Sequence, residues 1–192
     1  MIGGAGMYQE NLFSQDLSSE GDSFSPRVQS NFWDDIVSGK IAGRIQETAR
    51  RQSLSSSEAT YNMMKPIFAQ EDDVERMYGI YATRKNEIIG IDLISRGSIA
   101  GASVYPREIV KEMLSKKACA LILSHNHPSG DPTPSAEDIA ITKHIVFALH
   151  CIGATLLDHV VVGDNGKYHS FADVGMLISM RTDAENVFKF HR

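Results

Sequence analysis

The stretch from Cys119 to His125, CALILSH, constrains the fold more than any other part of the chain. It is a short, continuously apolar run, the pattern of a strand buried on both faces rather than one lying against water. Helical patterns flank it. In SVYPREIVKEMLSKKA, Pro106 suits a first turn, Ser103 or the residues after it provide the cap, and Ile109, Val110, Met113 and Leu114 make one apolar face. From Ala136 to Cys151, Ile139, Ile141, Ile145, Val146 and Leu149 recur near helical spacing, and Gly153 stops the helix. TLLDHVVVG is a further strand, and GDNGKYHSF a hairpin-like turn into a last element. Upstream, MYGIYATRKNEIIGIDLISRG gives two strands joined at the polar turn Arg84 to Glu87. The expected fold is an α/β domain over residues 71–192, a mixed sheet with helices packed on it.

The residues before it have another composition. Residues 1–30 are rich in Gly, Ser, Asp, Gln and Glu and bury too little to offset ordering entropy, which predicts a flexible tail. Residues 31–70 predict a short helical extension. Phe32, Trp33, Ile36, Val37, Ile41 and Ile45 belong to a first helix, and EATYNMMKPIF, after the Ser-rich break at Ser53 to Ser57, to a second that Pro66 ends or enters in its last turn. A chain of 192 residues accommodates one ordinary domain with such an extension. The net charge of −5 and pI near 5.8 argue against a protein that holds nucleic acid by its overall field and leave room only for a local basic patch. Cys119 and Cys151 both lie in apolar stretches and read as small buried hydrophobes, not a disulfide. With no leader pattern at the N-terminus and no long apolar run, the expectation is a cytoplasmic protein without a membrane span. Nothing in the sequence sets an oligomeric state.

Chemistry concentrates in SHNHPSGDPTPSAED, residues 124–138. In a strand, residues i and i+2 project to one side, so His125 and His127 can present both imidazoles to one point. Pro128, Gly130, Pro132 and Pro134 stiffen the loop that follows, and it leads to a helix whose first turn holds Asp138. Two imidazoles and a carboxylate are a zinc donor set that leaves a fourth tetrahedral position for water, the form of a catalytic site. Ser135-Ala136-Glu137-Asp138 is equally close to a helix capping box, in which an acidic residue three places on reaches back to the cap. HNH nucleases are a poor match, because their three residues are dispersed and here they are consecutive. His144, His150, His159, His169 and His191 read as surface or core histidines, with His159 the reserve ligand candidate.

His125-x-His127, seven residues, Ser135, two residues, Asp138 resembles the JAMM motif of the JAB/MPN metallopeptidase superfamily, and HNHPSGDPTPSAED resembles its RadC-like branch. SSSEATYNMMKPIF, KNEIIG, SVYPREIVKEML, LLDHVVVG and YHSF recur in that family's order, so the likeness covers about residues 53–178. It implies a JAB/MPN-like, cytidine-deaminase-like fold, zinc held by His125, His127 and Asp138, an oxyanion-assisting Ser135, and a general-base glutamate on an earlier strand. By spacing that glutamate is Glu75, with Glu71 and Glu87 as the neighbouring alternatives. RadC-like chains commonly carry Leu-Asp where this one has Ala82-Thr83, which loosens the subfamily match.

The activity implied is hydrolysis of a peptide or isopeptide bond in a protein substrate. DNA repair or DNA processing is the alternative attached to RadC-like proteins. Residues 1–70 show no Gly-x-Gly hairpin with a basic helix, and Arg44, Arg50 and Arg51 are the one small basic group there. A non-catalytic MPN scaffold fits poorly, since such relatives typically lose the ligands kept here.

Overall fold

The computed structural model describes residue 54 and residues 56–69, 73–97 and 104–189. The expected tail, the first helix of the extension, Glu71 and the arginines at 44, 50 and 51 lie outside the described residues. The elements are α1 (Ser57–Phe68), β1 (Arg76–Ala82), β2 (Ile88–Arg96), α2 (Pro106–Ser115), β3 (Ala120–Asn126), α3 (Ala136–Cys151), β4 (Thr155–Val162), β5 (Tyr168–Ser170) and α4 (Met176–Lys189). No described helix is long and apolar enough to cross a membrane.

The five strands form one sheet in the order β2-β1-β3-β4-β5. Only β3 and β4 run parallel, and α3 supplies the crossover that parallel neighbours require. The mixed sheet flanked by helices is the expected architecture. Alternation along β3 divides its side chains between two apolar layers. Leu121 and Leu123 join α2, α3 and α4 on one face, while Ile122 joins α1 on the other. His125 continues the first set and so points toward α3. Because β1 is antiparallel to β3 and pairs Met77 with His125, the residue entering β1 arrives beside the end of β3.

α1 is built into the core. Ser56 caps it, Pro66 lies in its last turn, and Tyr61, Met64, Ile67 and Phe68 pack on Tyr78, Ile80, Ile122 and Val160. The buried Arg76 guanidinium donates to the carbonyls of Ile67 and Phe68, joining a cation to the negative end of the helix. The boundary drawn at residue 71 therefore runs through packed structure, and this second helix of the extension is part of the domain.

Other expectations shift by one position. Leu114 is exposed, because one step past Met113 turns it about 100° from the packed line of Ile109 and Met113. Ile139 is exposed for the same reason. The inward stripe of α3 is Asp138, Thr142, Ile145, Val146 and Leu149, so a carboxylate occupies the place an apolar pattern would assign to a hydrophobe. Tyr105 takes the N-cap place of α2 without a side-chain hydrogen bond, and Pro106 is in the first turn. Cys119 is half-buried and Cys151 exposed, since the apolar residues around them, not the thiols, face the core.

Candidate metal centre

Four side chains from three parts of the fold converge at the end of β3. One donor atom each from Glu75, His125, His127 and Asp138 lies within 4.8 Å of all the others. His125 is the last but one residue of β3, and its side chain is fully enclosed. His127 follows in the loop, where its backbone N–H donates to the Val162 carbonyl and its Nδ1–H donates to the Asp131 carbonyl at 2.7 Å. That second bond leaves Nε2 of the neutral ring without hydrogen and facing the centre.

The stiff loop holds these positions by docking on the β4–β5 turn. Gly130 adopts φ +78° and its carbonyl accepts from the Asp164 N–H. A Cβ on Gly130 would collide with the Asp164 carboxylate, and one on Gly163 would collide with the Gly130 carbonyl. Only glycine fits so close an approach at a positive φ.

The two carboxylate oxygens of Asp138 lie in different environments. Oδ2 accepts from the Ser135 N–H and from the Ser135 hydroxyl, both at 2.7 Å, while the Asp138 N–H donates to Ser135 Oγ at 3.0 Å, a complete capping box. Oδ1 is buried without a hydrogen-bond partner, 3.2 Å from His125 Nε2. An ionised oxygen left so is costly unless a cation meets it. Burial works against ionisation of Asp138, but the neighbouring imidazoles of His125 and His127 and the Ser135 hydrogen bond outweigh it and hold the carboxyl well below the usual carboxylate range. The same carboxylate raises the pKa of His127, against partial desolvation.

The donor set fits a tetrahedral cation. Bonds of about 2.0–2.2 Å separate tetrahedral donors by about 3.3–3.6 Å. His125 Nε2 lies 2.9 Å from His127 Nε2 and 3.2 Å from Asp138 Oδ1, slightly closer than that spacing, while the 3.4 Å from His127 Nε2 to Asp138 Oδ2 is to the capping oxygen. Imidazole nitrogens and a carboxylate suit zinc and its neighbours better than the all-oxygen cations.

Glu75 immediately precedes β1, and Asn126 fixes the backbone on either side of it. Asn126 Oδ1 accepts from the Arg76 N–H and its Nδ2 donates to the Val74 carbonyl. Glu87 lies exposed in the turn at the far end of β1, away from the site, and Glu71 is outside the described residues. Ser135 is at the site, but its hydroxyl hydrogen is directed to Asp138. Asp131 is a turn residue, its Oδ1 accepting from Thr133, and contributes only its carbonyl to His127. His159, the reserve ligand, falls outside the group of converging donors and stands behind His125, with Thr142 behind it in turn. Thr142 carried no signal in the sequence beyond lying one helical turn after Asp138. A cleft of about 370 Å³ opens beside His127, between the end of α1, Asp73 and the β4–β5 turn.

Comparison with known proteins finds several relatives of this chain. The "UPF0758 protein STH371" of Symbiobacterium thermophilum is 41% identical over 128 residues, 67% of this chain and 54% of that protein. A "UPF0758 protein" of Moorella thermoacetica is 43% identical over 105 residues, 55% of this chain and 45% of the relative. One from Methanosarcina mazei is 37% identical over 133 residues, 69% of this chain and 56% of the relative. The chain thus spans about half the length of the curated relatives it matches. The family model described as "RadC-like JAB domain" matches residues 54–176, from just before α1 to the first residue of α4, a span that takes in all four converging side chains. The chain belongs to the RadC-like JAB domain family.

Proposed function

We propose that the chain is a zinc-dependent hydrolase of peptide or isopeptide bonds, with His125, His127 and Asp138 as ligands and Glu75 as general base. One observation carries it: a buried Asp138 oxygen without a partner faces two imidazoles whose Nε2 atoms point at the same place. Zinc at such a site supplies a Lewis acid and brings the pKa of water it binds from 15.7 to about 7. Glu75, beside the ligands and anchored through its backbone by Asn126, accepts a proton from the attacking water and returns it to the leaving amine. Ser135 aligns Asp138; the oxyanion role that the resemblance implies requires its hydroxyl to turn away from that carboxylate. The cleft beside His127, lined by Phe68, Lys65, Asp73 and Asp164, offers an extended substrate both apolar and charged contacts.

The test is hydrolysis of linear peptides and of peptides joined through a lysine ε-amine, with the full chain zinc-loaded or chelated. Cleavage should vanish on chelation and return with zinc. Glu75→Gln should retain one zinc per chain and slow hydrolysis by about 10²–10⁴-fold. A Glu75→Gln enzyme as fast as its parent would remove Glu75 from the mechanism, and a parent that binds no zinc would end the proposal. The DNA-processing alternative is compatible with family membership, and a salt-dependent DNA titration separates it.

A further inference from the structure

We propose that His159, backed by Thr142, is a positioning residue that fixes which ring nitrogen His125 offers to a cation. The inference rests on the metal-site proposal above and assigns a role to two buried residues that it leaves unused.

The direction of every hydrogen bond follows from one backbone carbonyl. Thr142 Oγ1 lies 2.5 Å from the Asp138 carbonyl oxygen, which can only accept, so the single hydroxyl hydrogen points there. Toward His159 Nδ1, 2.6 Å away, Thr142 is therefore the acceptor, and Nδ1 carries the ring hydrogen. His159 Nε2 then has only a lone pair, and it lies 2.8 Å from His125 Nδ1, which must donate. His125 is left with a bare Nε2 directed at His127 and at the unpartnered oxygen of Asp138. Asp138 thus stands at both ends: its carboxylate faces the site and its carbonyl sets the polarity of the chain that orients His125.

Packing keeps the relay in place. His159 has no exposed surface and stacks on Phe171 with ring centroids 4.9 Å apart at 18°. The parallel register sets His159 opposite Leu123, one side-chain repeat below His125 on the same face. A ligating histidine usually has its second nitrogen on a carboxylate, a carbonyl or water. A neutral imidazole does the same here without adding a negative charge to a fully enclosed place.

The experiment is a Zn²⁺ competition titration against a chromophoric chelator, on the full chain and on His159→Leu, His159→Gln, Thr142→Val and His125→Ala. His159→Leu should lose about 10–100-fold in zinc affinity, as loss of such an outer partner typically does. His159→Gln should stay within about 3-fold of the parent, because its amide oxygen can accept from His125 while its N–H donates to Thr142. Imidazole ¹⁵N NMR of the zinc-loaded parent should show hydrogen on His125 Nδ1. A folded His159→Leu with parental affinity would overturn the relay, as would equal losses in the Leu and Gln variants or a bare His125 Nδ1. If His159→Leu fails to fold, Thr142→Val decides, and parental affinity in it overturns the relay. Zinc lost in His125→Ala but kept in His159→Leu sinks the relay alone, whereas zinc kept in His125→Ala sinks the metal site and the relay together.

Discussion

Asn126 accepts a hydrogen bond from the Arg76 backbone N–H at 2.8 Å, tying the residue between the two histidines to the residue that follows Glu75. Its amide nitrogen also donates to the Val74 carbonyl at 3.0 Å, so one side chain grips the backbone on both sides of the proposed base. Asn126→Ala leaves both backbone groups without this partner, at a cost of about 1–3 kcal/mol. It should keep zinc, because Asn126 is no ligand, yet lower kcat at least about 10-fold through a misplaced Glu75. Zinc content and steady-state kinetics on the same preparation check this, and an unchanged kcat would make the clamp purely structural.

Ser135 separates two roles that the motif alone merges. Its hydroxyl donates to Asp138 Oδ2 and accepts from the Asp138 N–H, so Ser135→Ala removes a cap and loosens a ligand together. The expected outcome is about 0.5–2 kcal/mol less stability and weaker zinc binding. Hydrolysis at saturating zinc should fall less than about 10-fold. A fall of about 10²–10³ under that condition would show that the hydroxyl leaves Asp138 and serves the oxyanion.

Zinc affinity should depend on pH through His127, whose pKa in the metal-free protein is raised above 6.5 chiefly by its hydrogen bond to Asp138. Protons compete with zinc below that raised value, so affinity should drop about tenfold per pH unit there and level off above it. The contribution of His127 to the stability of the metal-free protein moves in the opposite sense. A histidine with a raised folded pKa stabilises below its unfolded value of 6.5, and that contribution is lost as pH rises through the folded pKa. Asp138, with a depressed folded pKa, contributes above the ordinary carboxylate range and ceases to as the medium turns acidic. The share that His127 contributes should therefore make metal-free protein melt lower at pH 8 than at pH 6, while buried His159 and half-buried His169, whose pKa values burial lowers, act in the opposite sense. Thermal unfolding of the metal-free parent and of His127→Gln isolates that share, and a parent whose melting temperature falls no more from pH 6 to 8 than the variant's would contradict the assignment.

Much of this was legible in the sequence because it depends on local period. CALILSH announced a doubly buried strand, and His-x-His at its end announced two imidazoles on one side, features that survive any packing of the rest. The cap and the ligand at Asp138 could not be separated by sequence, since both need an acid three places after Ser135. Only the structure separates its two oxygens, one committed to the cap and the other buried without a hydrogen-bond partner. His159 and Thr142 were not legible, because their partners lie 34 and 17 residues away in the chain, and a histidine within LLDHVVV looks the same whether it touches a metal or a second histidine. The place of α1 was not legible for a similar reason: the change from helical to strand rhythm near residue 71 resembles a domain edge until Ile67 and Phe68 meet the sheet.

Asp158 lies directly before the relay residue in β4. Its Oδ1 accepts from the His159 N–H at 2.7 Å and the Ala172 N–H at 2.9 Å, and its Oδ2 from the Ser170 hydroxyl at 2.6 Å, joining β4 to the turn that leads into α4. Burial, with the charge of nearby Asp173, raises its pKa, although these three hydrogen bonds favour the ionised form. With the folded pKa above the unfolded one, the native state binds the proton more tightly, so this group's contribution to stability declines as pH rises from about 3.9 through the folded value. Asp158→Asn preserves an acceptor for both backbone donors, and its N–H₂ can meet Ser170 Oγ. That variant should retain zinc and lose this decline, ending at neutral pH as stable as the parent or slightly more so. Asp158→Ala leaves three buried donors without acceptors, each costing about 1–3 kcal/mol, and frees the His159 backbone. It should unfold far more easily and hold zinc less tightly. Denaturant unfolding of the three proteins from pH 4 to 8, with zinc measured at each end, decides the matter: if Asp158→Asn shows the parental pH slope, the slope belongs to another group, and if Asp158→Ala is as stable as the parent, these three bonds do not fasten the strand.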